Sequence, residues 1–197
     1  FDTNLFGAIR TIKEILHTMR KQRNGLIINV TSIAGVVGLP AECIYVSTKF
    51  ALEGLSESIS YELQPNGIKV ILVEPGVINT NFVPNIKFPD KCKDKRQQTL
   101  IKQEKLESSL SSNDIKKNNS SYYSNTKDAF LSNYYPAMKN APLPNEVGTV
   151  ILEAIKNASN SSECLFRYIV GEDAKTLAHA KKICLIHNCM SLFQVGY

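Results

Sequence analysis

The sequence predicts an α/β protein: a parallel sheet with helices packed on both of its faces. Two observations carry this. Residues 26–31 (Leu-Ile-Ile-Asn-Val-Thr) and 68–74 (Ile-Lys-Val-Ile-Leu-Val-Glu) are strand-length runs, nearly continuously apolar, as strands buried on both faces are. Helix-length segments with apolar residues at three- and four-residue spacing precede and separate them, so helix and strand alternate. Crossovers between such strands are right-handed, and ligands bind at the strands' carboxyl ends. Chemistry is therefore expected after Thr31 and after Glu74.

Residues 2–22 read as a helix, with Leu5, Ile9, Ile12, Leu16 and Met19 on one face and Asn24-Gly25 as its stop. Residues 32–42 read as a loop of small residues containing Gly35, Gly38 and Pro40. A second helix is expected from about Cys43 to Leu63, with Val46, Phe50, Leu52, Leu55, Ile59 and Leu63 apolar and Pro65-Asn66-Gly67 breaking it. Pro75-Gly76 ends the second strand at a turn. Residues 85–127 turn rich in Lys, Ser, Asn and Gln, and a connection this long reads as a lid or insertion; 97–107 suit a short polar helix. Helical spacing returns over 145–158 (Val147, Val150, Ile151, Ala154, Ile155), and 165–170 (Leu-Phe-Arg-Tyr-Ile-Val) read as a last strand. The tail from 174 mixes weak helical character with Ile183, Leu185, Ile186, Leu192 and Phe193.

Composition sets limits on function. With 197 residues, 43% hydrophobic and 21% charged, the chain suits one globular domain and excludes whole-chain disorder. No apolar run approaches the roughly 18 residues of a membrane-spanning helix. The net charge is +5, and residues 91–127 account for it: nine basic side chains against four acidic ones. The rest of the chain is neutral, which argues against nucleic-acid binding and leaves the basic insertion as a solvated loop. Five scattered cysteines (43, 92, 164, 184, 189) suit reduced thiols in a cytoplasmic protein. His179, Cys184, His187 and Cys189 match no familiar zinc spacing, so no metal site is expected. The chain begins Phe1-Asp2-Thr3, as though inside a helix, and a fragment of a longer protein is expected.

Tyr45 and Lys49 stand four apart on the second predicted helix and share a face. A phenol ordinarily titrates near 10, and a nearby ammonium is expected to lower that value. Such a tyrosine can protonate a carbonyl or deprotonate an alcohol. The accompanying hydride must come from a cofactor. The spacing alone decides nothing, because Tyr123/Lys127 and Tyr135/Lys139 share it. Tyr135 precedes Pro136, which argues against a helix there, and Tyr123 lies in the polar insertion. Only Tyr45 follows a buried strand and a glycine-containing loop, with Ser32 thirteen residues before it at the strand's carboxyl end.

In this context the first 82 residues resemble the short-chain dehydrogenase/reductase family. Ile27-Ile28-Asn29-Val30-Thr31-Ser32-Ile33-Ala34-Gly35 resembles the family's serine strand, and Tyr45-Val46-Ser47-Thr48-Lys49-Phe50-Ala51-Leu52-Glu53-Gly54 its catalytic helix. Glu74-Pro75-Gly76-Val77-Ile78-Asn79-Thr80 resembles the nicotinamide-side turn, and Asn4 before Leu5-Phe6-Gly7 the helix that carries the family's asparagine. Residues 165–175 resemble the family's last strand together with the segment just after it. The resemblance implies a Rossmann-like doubly wound sheet, of which this chain is the carboxyl-terminal, catalytic part with the first strands upstream. It implies one partial domain over 1–197: a catalytic core over 1–84, a basic lid over 85–140, the last helix and strand over 141–173, and a tail over 174–197.

The resemblance also implies roles, residue by residue. Tyr45 would be the general acid/base, and Lys49 would lower its pKa and bind the nicotinamide ribose. Ser32 would hold the substrate oxygen with Tyr45, and Asn4 would hold a water that relays protons to Lys49. Pro75, Gly76, Val77, Ile78 and Thr80 would line the nicotinamide. The cofactor would be NAD or NADP. The substrate would be a secondary alcohol or ketone, and the apolar tail hints that it is hydrophobic. The family's glycine-rich turn would lie upstream of Phe1, so these 197 residues alone are expected neither to bind cofactor tightly nor to turn over. The two long helices would pair with those of a second copy in a homo-oligomer. Two alternatives stay open: a non-catalytic binding protein on the same fold, and a lyase or epimerase that uses the same tyrosine.

Overall fold

The computed structural model describes residues 1–82, 122–160 and 164–187. Three parallel strands, β1 (Gly25–Val30), β2 (Ile68–Pro75) and β3 (Arg167–Val170), form one sheet in the order β1-β2-β3. β1 pairs with β2 from Gly25↔Ile68 to Val30↔Val73, and β2 with β3 from Leu72↔Arg167 to Pro75↔Val170. All three carboxyl ends lie on one side.

Side-chain alternation along the strands divides the core into two layers. On one face Ile27, Ile68 and Val70 pack with Ile12, Leu16 and Met19 of α1 (Ala8–Gln22) and with Ile59 and Leu63 of α2 (Cys43–Leu63). On the other face Ile71, Val73, Tyr168 and Val170 take Val147, Val150, Ile151 and Ala154. These belong to α4 (Pro144–Ser159), which comes after α3 (Tyr122–Lys139). α5 (Glu172–His187) lays Ala174 and Ala178 against Ile33 and Val37, next to Ile169. Helices thus cover both faces of a parallel sheet, as predicted. The start of the segment expected as a tail belongs to the core, since Ala174 is fully buried.

Four differences have local causes. The first helix is regular only from Ala8. Asp2–Gly7 form a wider π-helical turn in which the N–H groups of Leu5 and Phe6 both reach the carbonyl of Phe1. The last strand is shorter than its apolar run and starts at Arg167, where pairing with β2 begins. The weak helical pattern of the tail is a helix that starts at Glu172. Pro136 lies inside α3, where the sequence argued against a helix. It sits in the last turn, so it forfeits one hydrogen bond, to the carbonyl of exposed Ser132. The short helix expected over 97–107, most of the basic insertion, Cys92, Cys189, Leu192 and Phe193 lie outside the described residues.

One buried polar cluster ties α2 to the sheet just below the strand ends. Arg167 on β3 donates to Glu74 of β2 at 2.7 Å, to Glu57 of α2 at 3.1 Å, and to Glu53 of α2. Glu53 and Glu74 are buried. Asn29 of β1 adds a hydrogen bond to Ser56 at 2.8 Å. Burying such groups costs energy unless each finds a partner, so the cluster fixes how α2 lies on β1 and β2.

Candidate active site

The segments that leave β1 and β2 meet the start of α2 at one cavity of about 630 Å³. Ser32 leaves β1 and caps the tight turn Ile33–Gly35, its Oγ accepting from the Ala34 N–H at 3.1 Å. The same hydroxyl lies 3.5 Å from the carbonyl oxygen of Pro75, the last residue of β2. Gly35 is needed for close approach: a Cβ there would lie 2.8 Å from Cγ of Glu53 and 3.1 Å from the carbonyl oxygen of Lys49. The serine turn therefore packs directly on α2.

Tyr45 lies in the first turn of α2, and Lys49 one turn further on. The Lys49 ammonium donates to the carbonyl of Val30, the last residue of β1, at 3.2 Å and sits 5.8 Å from the Tyr45 ring centroid. Ser32, Tyr45, Pro75, Gly76, Val77, Ile78 and Thr80 all line the cavity. Lys49 stands outside that lining, behind Tyr45. Asn4 also stands outside it. Its amide nitrogen donates to Oγ1 of Thr48 at 3.2 Å, and the Thr48 hydroxyl donates to the Tyr45 carbonyl at 2.7 Å. Asn4 thus braces the first turns of α2.

Comparison with known proteins finds the same likeness. Residues 1–90 match the family model of the short chain dehydrogenases. Over these residues the chain is similar to the short-chain dehydrogenase/reductase family. It is 33% identical over 172 residues to an uncharacterised oxidoreductase of Schizosaccharomyces pombe, spanning 87% of this chain and 59% of that one. It is 49% identical over 84 residues to a 3-ketodihydrosphingosine reductase of Bacteroides thetaiotaomicron, spanning 43% of this chain and 31% of that one. Its fold matches that of a short chain dehydrogenase/reductase of Burkholderia phymatum crystallised with NAD. That match has a TM-score of 0.61 and 18% identity, over 93% of this chain and 56% of that one. The chain spans less than two thirds of each of these proteins.

The electrostatics of the site correct one expectation. Lys49 does not bring the Tyr45 phenol below its ordinary value. Burial pushes the phenol up, the Ser32 hydroxyl beside it pulls down, and the Glu42 carboxylate adds an upward push. Lys49 itself is pushed down by burial, against the upward pull of Glu53. Desolvation outweighs the charges here, because both side chains are largely withdrawn from water.

Several residues of the site escaped the sequence reading. Phe82 packs its ring 5.5 Å from that of Tyr45, tilted by 54°. Phe130 and Tyr134 of α3 enter the cavity wall with their rings 5.1 Å apart. The Tyr134 phenol is pushed up to about 12 by burial and by Glu42, Tyr45 and Asp173 around it. Glu42, whose carboxyl burial pushes up, lines the same cavity. Its place three residues before Tyr45, one helical turn away, was the only sequence signal for it. Phe130 and Tyr134 come from a different element, and nothing local in the sequence links them to Tyr45.

Proposed function

We propose that this protein is an NAD(P)-dependent oxidoreductase that interconverts a secondary alcohol and a ketone on a largely apolar substrate. The observation that carries the proposal is the convergence of Ser32, Tyr45 and the Pro75–Thr80 turn on one cavity, with Lys49 directly behind the tyrosine. The donor set suits a nicotinamide riboside. The Tyr45 phenol lines the cavity with the Lys49 ammonium behind it, and a turn of backbone with the Thr80 hydroxyl lines it as well. The relatives named as oxidoreductases support the reaction class.

In this reading Tyr45 gives its proton to the substrate carbonyl oxygen as the alcohol forms, and takes it back in the reverse direction. Ser32 donates a hydrogen bond to the same oxygen as negative charge develops there. Lys49 holds the ribose and keeps positive charge beneath the phenol. Asn4 braces that turn of α2 through Thr48 and holds the relay water. The dinucleotide, when bound, supplies or accepts the hydride. Leu39, Phe82, Phe130, Val147, Ile151 and Leu177 make much of the cavity wall apolar, which supports a substrate with a hydrocarbon body.

The test is Tyr45→Phe in the full-length protein. Turnover is expected to fall by about 10²–10⁴-fold, the usual worth of a general acid/base, while NAD(P)H binding stays within a few fold. Turnover near wild type would overturn the mechanism. Stoichiometric change in nicotinamide absorbance during turnover separates this reading from a lyase or epimerase.

A further inference from the structure

We propose that Asp173 is a positioning residue that latches the Pro75–Val77 turn to the junction of β3 and α5. Asp173 is the second residue of α5, and its Oδ2 accepts the N–H of Val77 at 2.7 Å, across 96 positions of sequence. The turn is held on its other side too, because the Gly76 N–H donates to the Val170 carbonyl at 2.8 Å. Two glycines make room for the carboxylate. A Cβ at Gly76 would lie 2.6 Å from Cγ of Asp173, and one at Gly171 would lie 2.6 Å from its Oδ1. Both approaches are far inside van der Waals contact, and Gly171 also has φ of +99°. A carboxylate in the first turn of a helix is electrostatically favoured.

The consequence for the turn is specific. The N–H groups of Gly76, Val77 and Asn79 are taken by Val170, Asp173 and the Pro142 carbonyl at 2.8, 2.7 and 2.9 Å. Among the described residues, no protein acceptor takes the Ile78 N–H between them. Asp173 therefore helps leave one backbone donor unspent in a turn that lines the cavity. The inference rests on the proposed cofactor role of that turn.

The experiment uses the full-length protein with Asp173→Ala and Asp173→Asn. Amide hydrogen exchange over residues 75–80 is read without ligand, and the Kd for NAD(P)H is read by calorimetry. Asp173→Ala is expected to speed exchange at Val77 and to raise the Kd, each by about tenfold, as for loss of one charge-assisted hydrogen bond. kcat at saturating cofactor is expected to change less than threefold. Asp173→Asn keeps a carbonyl acceptor and is expected to fall between. Gly76→Ala is expected to weaken binding, and Asp173→Ala added to it should cost little more, because the two act on one contact. Unchanged exchange at Val77 in Asp173→Ala would overturn the latch. Faster exchange throughout β1–β3 would overturn it as well, showing a general loss of fold. Faster exchange confined to the turn with an unchanged Kd would overturn its link to the cofactor. A wild-type protein that bound no NAD(P)H would instead overturn the proposed function, and exchange at Val77 would still judge the latch.

Discussion

Tyr45 is the residue on which the proposed chemistry turns, and its environment favours one direction of it. Burial holds the phenol above its ordinary value, and the Ser32 hydroxyl only partly offsets that. A phenol that keeps its proton at neutral pH is a ready acid for carbonyl reduction. Alcohol oxidation needs the phenolate, so its rate is expected to rise with pH into the alkaline range. Reduction should be flat at neutral pH and fall on the alkaline side. A pH profile of kcat/KM in both directions checks this, and an oxidation rate that peaks below neutrality would contradict it. The neighbouring acids sharpen the point: Glu42 raises Tyr45, and both help raise Tyr134. Substituting Glu42→Gln is expected to shift the oxidation limb toward lower pH, since it removes a charge that opposes the phenolate.

Among the elements, α2 carries the site, and the buried ionic cluster fixes its seat. Arg167 is partly exposed, but its partners Glu53 and Glu74 are not. Arg167→Ala would leave two buried carboxylates uncompensated, at an expected cost of about 2–4 kcal/mol at pH 7. That is below the usual figure for breaking a buried pair, because solvent reaches the guanidinium. The loss should shrink in acid. Burial pushes the Glu74 carboxyl above its ordinary value, with Arg167 opposing. A raised carboxyl favours the fold while it is protonated and loses that contribution as pH rises from about 4.3 through its folded value. Urea titrations at pH 5 and pH 7 would test both statements.

α2 and β2 were legible in sequence for clear reasons. Six apolar positions at helical spacing and a Pro-Asn-Gly stop define the helix, and a nearly continuous apolar run, broken only by Lys69 before Glu74, defines the strand. The chemistry of Ser32, Tyr45 and Lys49 was legible because strand, loop and helix stand close together in sequence. The ionic cluster was not. Glu53 and Glu57 sit four apart on a helix and read as an ordinary solvated pair until Arg167, more than a hundred residues away, is folded onto them. Asp173 was hidden for the same reason, since its partner is the N–H of Val77 and no side-chain pattern marks a backbone amide.

At the scale of the whole molecule, a few large apolar side chains stay exposed on the long helices. Phe6, Ile15, Ile44 and Tyr61 remain 37–67% exposed along the Asp2–Gly7 turn, α1 and α2. Among the described residues, no helix is long and apolar enough to cross a membrane. Exposed large apolar side chains of this kind suit a protein interface. The expected partner is a second copy of the protein, and light scattering of the full-length protein should report at least a dimer. Ile44→Glu together with Tyr61→Glu should shift it toward monomer, and a monomeric wild type would remove the proposal.

The long reach between Val77 and Asp173 also sets a timetable for synthesis. A ribosome adding about 5–20 residues per second exposes the turn well before the carboxylate that fixes it. With 96 positions between them, the delay is about 5–20 s. Throughout that interval the nascent chain carries Ser32, Tyr45 and Lys49 but not the last strand that seats Arg167, Val170 and Asp173. A messenger cut short before the codon for Arg167 would therefore yield a product with every acid/base residue of the proposed mechanism and an unfastened cofactor wall.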